Sequence, residues 1–582
     1  MKKILIVFLL VFAFTSCDFS KYRLVKEYDF TTTFEKSDGK ETATYPEIIK
    51  YYQDLDDAFA TIKIMEIGKT DSGEPLHIVI FNPDLNFDLE QLGEDKTILF
   101  INNGIHPGES DGIDASMLFL RDLAQDSIKA PENTVLAVIP VYNIGGAINR
   151  NSTSRVNQNG PVEYGFRGNA RNFDLNRDFI KADTRNTLSF TEVFHLIKPD
   201  VLLDTHVSNG ADYQYTLTHL FTQHNKMGGK IGAYIQHKMM PSIVDSLANN
   251  GWPSTPYVNV FNEVPEKGFS QFMDYPRYST GYASLWNTMG LMIETHMLKP
   301  YDERVAGTYQ FMLTLLNYVD QNAREIKQVR AGAFRQFSDL ENYPLHYKID
   351  STRTSTIPFL GYEAEIIKSE VTGLDRLKYN REKPFEKEVV YYNNFVPSTS
   401  VEIPTAYLIP QSWWKVTNLL AANNIVMQKL EKDSIMVAEA YYINDFETMS
   451  NAYEGHYLHF NTSVTKKNVR VKARRGDIIV PTDQKGIKYI METLEPQATD
   501  SFFNWNFFDS VLQQKEHFSP YVYEDSALEF LNENPKIKAE FEQKKKEDSE
   551  FAKNSYEQLD WIFKSSPNYE LQHMRYPIFR LW

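Results

Sequence analysis

Cysteine is nearly absent from this chain. Cys17 is the only one in 582 residues. A lone cysteine excludes an intramolecular disulfide framework. Positive charge is also in deficit: 61 Lys and Arg stand against 77 Asp and Glu, a net charge of −16. No basic face is then available to neutralise phosphates, which argues against nucleic acid as a partner. No repeat period or low-complexity tract is visible, and past residue 14 no apolar run is long enough to span a bilayer.

The N-terminus carries the first positive signal. Lys2 and Lys3 precede an apolar run from Ile4 to Phe14, followed by Thr15, Ser16 and Cys17. A basic start, a short apolar core and small residues at the cut make a secretory signal. Eleven apolar residues are too few for a spanning helix. Cys17 sits where a bacterial lipobox places its lipidated residue, although Phe14 replaces the usual Leu. The expectation is an exported lipoprotein anchored at Cys17, in the cell envelope on the periplasmic or outer-surface side of a membrane. Acylation of Cys17 would also remove the chain's one potential thiolate nucleophile.

Residues 18–44 are polar and read as a tether. From Tyr45 to about residue 325, helical and strand-like runs alternate. Helical patterns cover Tyr45–Ala60, Asp111–Ala124, Phe190–Ile197, Lys230–Asn249 and Val305–Asn322; dense apolar runs cover Ile62–Glu66, Leu76–Asn82, Lys96–Asn102, Thr134–Val141, Asp200–Asp204 and Gly290–Glu294. Such alternation predicts an α/β fold, a mostly parallel, doubly wound mixed sheet flanked by helices. From residue 330 to 582 the texture changes to Tyr- and Val-rich segments with Pro and Gly punctuation: Thr356–Ile367, Ser400–Ile409 and Lys467–Val480. These predict a β-rich accessory region, ending in helices that include the charged Pro535–Lys553.

Four polar clusters fall at or just past the ends of apolar runs, where α/β proteins build their sites. They are IHPGES (105–110), FRGNARNFDLNRDF (166–179), LLDTHVSNG (202–210) and LMIETHM (291–297). His106 and Glu109, three apart around Pro107 and Gly108, can both reach one Zn²⁺; the pair alone is a weak signal. His206 ends its own run and supplies a third ligand. A His₂Glu set leaves one position open, the mark of a catalytic zinc. Glu294 is an acid inside an apolar strand, costly without a role, and suits a general base. Arg177 offers a planar fork that matches a carboxylate and Asn176 a neutral donor. Asp174 is placed to orient a ligating histidine through its other ring nitrogen. His219, His224 and His296 are weaker ligand candidates.

Together these residues resemble the zinc metallocarboxypeptidases typified by pancreatic carboxypeptidase A, over roughly residues 45–325. His106 and Glu109 resemble the family's HxxE zinc pair, DLNRD (174–178) its carboxylate clamp, His206 its second zinc histidine, and Glu294 its base. The resemblance implies one Zn²⁺ per chain and a peptide substrate with a free C-terminal carboxylate. It implies an arginine, ten residues before the clamp arginine, that polarises the scissile carbonyl; that is Arg167, with Arg155 and Arg171 as lesser claimants. It also implies a substrate-covering tyrosine among Tyr275, Tyr278 and Tyr282, with Tyr282 and the nearby Arg277 assigned to substrate binding. Val207 departs from the family's usual Ser. The region after residue 330 replaces the small domain that some members carry. Two other zinc-enzyme readings share the HxxE…H frame: an aspartoacylase- or desuccinylase-like amidohydrolase, and a peptidase acting on peptidoglycan stems. A non-catalytic surface binding lipoprotein is the remaining alternative.

Overall fold

The computed structural model describes residues 28–336 and 340–582. Cys17 and the signal segment lie outside the described residues. The expected tether is packed where it is described. Phe30 and Phe34 pack against the core, Thr42 and Ala43 are buried, and Glu35 pairs with Arg121 at 2.8 Å. A polar composition concealed these few well-seated side chains.

One eight-stranded sheet organises the N-terminal half. Its strands are β1 (Ile62–Lys69), β2 (Pro75–Phe81), β3 (Thr97–Asn102), β4 (Thr134–Ile139), β5 (Val201–Ser208), β6 (Leu217–Phe221), β7 (Ser254–Pro256) and β9 (Met289–His296), in the order β1-β2-β4-β3-β5-β9-β6-β7. The two-residue β8 (Phe269–Ser270) joins a different sheet. The four central strands β4, β3, β5 and β9 are mutually parallel, while β2 and β6 pair antiparallel to β4 and β9. The sheet is thus mixed around a parallel centre.

Strand alternation divides the side chains between two cores. Leu99, Ile101, Val201 and Leu203 face helices Tyr45–Ala58, Asp111–Ala124 and Tyr301–Gln336; Ile98, Phe100 and Leu202 face helix Arg185–Ile197 and Ser279–Leu285. Burial on both faces explains why these strands read as continuous apolar runs. The expected helix over 230–249 contains a π-helical stretch, Ile235–Met239, just before Pro241. Proline cannot donate to the preceding turn and crowds its carbonyl, so the turn widens.

The C-terminal region is β-rich as expected. Strands β10 (Asn342–Ile349) and β13 (Phe395–Glu402) pair, and β11 (Ser355–Lys368) forms a long hairpin with β12 (Asp375–Tyr392), whose end pairs with β8. A six-stranded sheet has the order β15 (Gln428–Lys429), β18 (Ile478–Pro481), β14 (Ala406–Ile409), β19 (Arg575–Leu581), β16 (Ser434–Thr448), β17 (His459–Ala473). Two expected strands are each split, one around Pro404 and one at Gly476, whose φ is +96°. Helices Pro520–Glu533, Pro535–Glu547 and Ser555–Ser565 close the chain around a small core of their own. The larger C-terminal part is not a detached module. Tyr489, Phe502 and Trp505 belong to the same apolar cluster as Phe100, Phe190 and Tyr282. It therefore completes the cover over one face of the eight-stranded sheet.

Candidate metal and peptide site

The site lies at the C-terminal edge of the parallel strands. His106 and Glu109 sit in the loop after β3, His206 near the end of β5, and Glu294 opposite His206 on β9. One ligand atom from each of His106, Glu109 and His206 lies within 4.8 Å of the others, and all three residues are buried. The loop bends tightly because Gly108 has no Cβ; one there would meet the Arg155 side chain at 2.5 Å and the Gly165 carbonyl at 2.9 Å.

Each imidazole is held from behind. His106 Nε2 donates to Asp174 Oδ1 and His206 Nε2 to Asp204 Oδ2, both at 2.9 Å. This turns both Nδ1 atoms toward Glu109, at 3.3 Å for His106 and 2.9 Å for His206. His106 Nδ1 is buried and has no hydrogen-bond partner. A buried, unsatisfied imidazole nitrogen aimed at a carboxylate and a second imidazole is the donor set that a zinc ion completes. Burial pushes the Glu109 carboxyl up, but the Arg155 guanidinium and His106 more than reverse this and hold it well below the usual range. Asp174 is likewise buried yet held ionised by His106, Arg167 and Arg177.

The other expected residues divide into those at the cavity and those away from it. A cavity of about 320 Å³ is lined by the three ligand residues together with Arg155, Arg167, Asn176, Arg177 and Glu294. Arg155 Nη2 lies 3.0 Å from Glu109 Oε1, against 3.7 Å for Arg167 Nη1; Arg155, a lesser claimant in the sequence, therefore stands beside Arg167 at the site. Arg171 points elsewhere, donating to the Asp183 carbonyl at 2.7 Å. Asn176 accepts from the Ser279 amide at 3.0 Å, and the Arg177 guanidinium lies 4.6 Å from the Tyr278 ring centre. Burial pushes Glu294 up to about 7, with Glu109 adding to the rise and His206 opposing it.

Two assignments are corrected. Tyr282 is fully buried in the core, where its hydroxyl donates to Asn423 Oδ1 at 2.7 Å. Arg277 is bound to Asp500 at 2.7 Å and lies over Trp505, so it is not free to meet a substrate. Both follow from contacts with the C-terminal region. Tyr278 and Tyr257 line the cavity instead. Asp204 was missed, although its signal is local: two residues before His206 on one strand, it must share that residue's face.

Comparison with known proteins identifies the frame. The zinc carboxypeptidase family model matches residues 48–196, a span holding His106, Glu109, Arg167 and the Asp174–Arg177 cluster. This chain carries a zinc carboxypeptidase domain. Carboxypeptidase 2 of Trichophyton tonsurans is 22% identical over 447 residues, covering 71% of this chain and 74% of that protein. Carboxypeptidase 2 of Trichophyton rubrum is also 22% identical, over 439 residues, 70% of this chain and 73% of the relative. Among solved structures, a metallo-carboxypeptidase from Burkholderia cenocepacia matches at 16% identity with a TM-score of 0.35, over 47% of this chain and 69% of that one. The carboxypeptidase A from Helicoverpa armigera matches at 13% identity with the same TM-score, over 50% and 73%. The domain is that of a metallopeptidase, and the metal its family uses is zinc.

Carboxylates that hold the outer nitrogens of ligating histidines raise the metal affinity of a site. Elemental analysis of the full chain should find one zinc per chain, absent in His106→Ala. Asp174→Asn and Asp204→Asn should each weaken zinc binding about 10- to 100-fold in a chelator competition; wild-type affinity in both would remove the carboxylates from that role.

Proposed function

We propose that this site removes the C-terminal residue of a peptide, with Glu294 as general base and with a preference for an apolar or aromatic terminal side chain. The observation that carries the proposal is the meeting in one cavity of the His106–Glu109–His206 set, the acid Glu294, and Asn176 with Arg177. The relatives named carboxypeptidase 2 support the same activity.

Zn²⁺ held by His106, Glu109 and His206 would act as a Lewis acid and lower the pKa of a water. The remaining work belongs to the chain. Glu294 takes a proton from the attacking water and returns it to the leaving amine. Arg155 and Arg167 donate toward the carbonyl oxygen as negative charge grows there. Arg177 and Asn176 hold the terminal carboxylate, and Tyr278 fixes the Arg177 plane from one side.

Strand geometry indicates where the terminal side chain goes. Met292 is two residues from Glu294 on β9 and so shares its face, and Leu220 is its cross-strand partner on β6. Phe272 stands edge-on to Tyr278 at 5.2 Å and Tyr257 edge-on to Phe272 at 6.3 Å. Among the described residues, the carboxylates lining the cavity are Glu109 and Glu294. A cationic side chain would find no partner beyond the reacting groups, whereas an apolar one is desolvated among apolar neighbours.

Glu294→Gln should retain zinc and lose roughly 100- to 10,000-fold in kcat; full turnover in that variant would remove Glu294 from the base role. A base works only unprotonated, so kcat/KM should fall as the pH drops through its pKa. A bound dication opposes the upward shift of Glu294, so the acidic limb should have its midpoint between the ordinary 4.5 and about 7. In an assay of released amino acids, peptides ending in Phe, Leu or Met should outpace those ending in Lys, Arg or Asp. Arg177→Ala should lose roughly 10- to 100-fold on free acids and far less on C-terminal amides; equal losses on both would argue against the clamp.

We infer separately, from residues 2–17 of the sequence, that the chain is a lipoprotein held at Cys17 in the cell envelope. Cys17→Ser, expressed in a bacterial host, should then move from the detergent-extracted membrane fraction to the soluble one. Retention in the membrane would reject acylation as the anchor.

A further inference from the structure

The clamp loop does not stand alone. Between β16 and β17 the C-terminal region sends out a tight turn, Tyr453-Glu454-Gly455-His456. Tyr453 N–H donates to the His456 carbonyl at 2.7 Å and His456 N–H donates back at 3.0 Å. Glu454 and Gly455 have φ of +50° and +78°. Two left-handed residues in a row make the mirror-image turn that normally selects Asn-Gly or Gly-Gly. Gly455 suits it, and its bare backbone also makes room for the Phe173 ring, which a Cβ would meet at 2.9 Å. Glu454 does not suit it, because a branched-out acid in that conformation carries strain. Strain retained at one residue marks a contact that needs the side chain there.

The contact is with the site. A Glu454 carboxylate oxygen accepts from the Asp174 backbone N–H at 2.8 Å. Asp174 is the residue behind His106 and begins the turn that presents Asn176 and Arg177. On either side of Glu454 the grip repeats. His456 Nε2 donates to Asp183 at 2.7 Å, beyond the far end of the clamp turn. Tyr453 anchors the other side of the turn, stacking on Trp505 at 6.1 Å with the Arg277 guanidinium 5.8 Å from its ring centre.

We propose that the Tyr453–His456 turn is a positioning element for the terminal-carboxylate clamp, so that residues from the C-terminal region set the affinity of the site in the N-terminal half. Glu454 holds the backbone from which Asn176 and Arg177 project, and Tyr453 and His456 seat the turn on either side of it. A simple glue between the two halves would not need these groups, since the Arg277–Asp500 pair and the shared apolar cluster already join them. The inference rests on the reading that Arg177 and Asn176 bind the substrate's carboxylate.

The test is steady-state kinetics on the full, zinc-loaded chain, with a peptide bearing a free C-terminus and the same peptide as its amide. Glu454→Gly removes the carboxylate while relieving the left-handed strain, so it should fold at least as well as the parent. Glu454→Gln keeps an acceptor oxygen and should rescue. For the free acid, KM should rise about tenfold in Glu454→Gly, the size of one hydrogen bond to a charged group. It should stay near the parent value in Glu454→Gln, with kcat, zinc content and thermal midpoint little changed throughout. An unchanged KM in Glu454→Gly overturns the proposal. So does a loss confined to kcat and zinc content, which would make the turn a support for the metal alone. A parent enzyme that cleaves acid and amide equally well would instead overturn the clamp reading beneath it.

Discussion

Asp174 and Asp204 each grip the outer nitrogen of a buried imidazole and so turn the inner nitrogens of His106 and His206 onto one point beside Glu109. Everything else at the site accommodates that arrangement. Three carboxylates and two imidazoles sit together out of water, which is costly unless opposite charge is close. Arg155, Arg167 and Arg177 supply part of that charge, and they are the groups that face the cavity. The residues that neutralise the acids are thus also those that can meet a carbonyl oxygen and a terminal carboxylate. A dication at the convergence point would supply the rest, which ties metal affinity to the same network.

The sheet explains how such distant residues meet. With β3, β5 and β9 side by side and parallel, their C-terminal ends open on one edge, and His106, His206 and Glu294 arrive there from three parts of the chain. The neighbouring antiparallel β6 then adds Leu220 beside Met292, giving the cavity an apolar wall next to Glu294. One face of this sheet is closed in part by the C-terminal region, and that same region extends a turn to the clamp loop. Packing and site organisation are two consequences of one interface.

Much of the site was legible because the relevant signals are local. HxxE places two ligands on one bend, the apolar runs end where the polar clusters begin, and Glu294 stands out in its strand as a charge among Met, Ile and Leu. The central strands and most flanking helices were equally plain, being buried on both faces or on one regular stripe. The failures share a cause. Tyr282 and Arg277 look available in sequence, yet Asn423 and Asp500, far along the chain, take their polar groups. The short β6 does not read as a strand because Thr218 and His219 dilute its apolar pattern, although burial there comes from its neighbours in the sheet.

The sequence by itself determined the alternation of helix and strand, the chemistry of the ligand, base and clamp residues, and their order along the chain. These depend on residue type and on periods of a few positions. Only the tertiary structure decided which arginine lies nearer Glu109, which tyrosines face the cavity, what lines its apolar wall, and that a turn from residues 453–456 reaches the Asp174–Arg177 loop. Each of those depends on the distance between side chains that are remote in sequence, a quantity set by how two cores pack and by no local pattern.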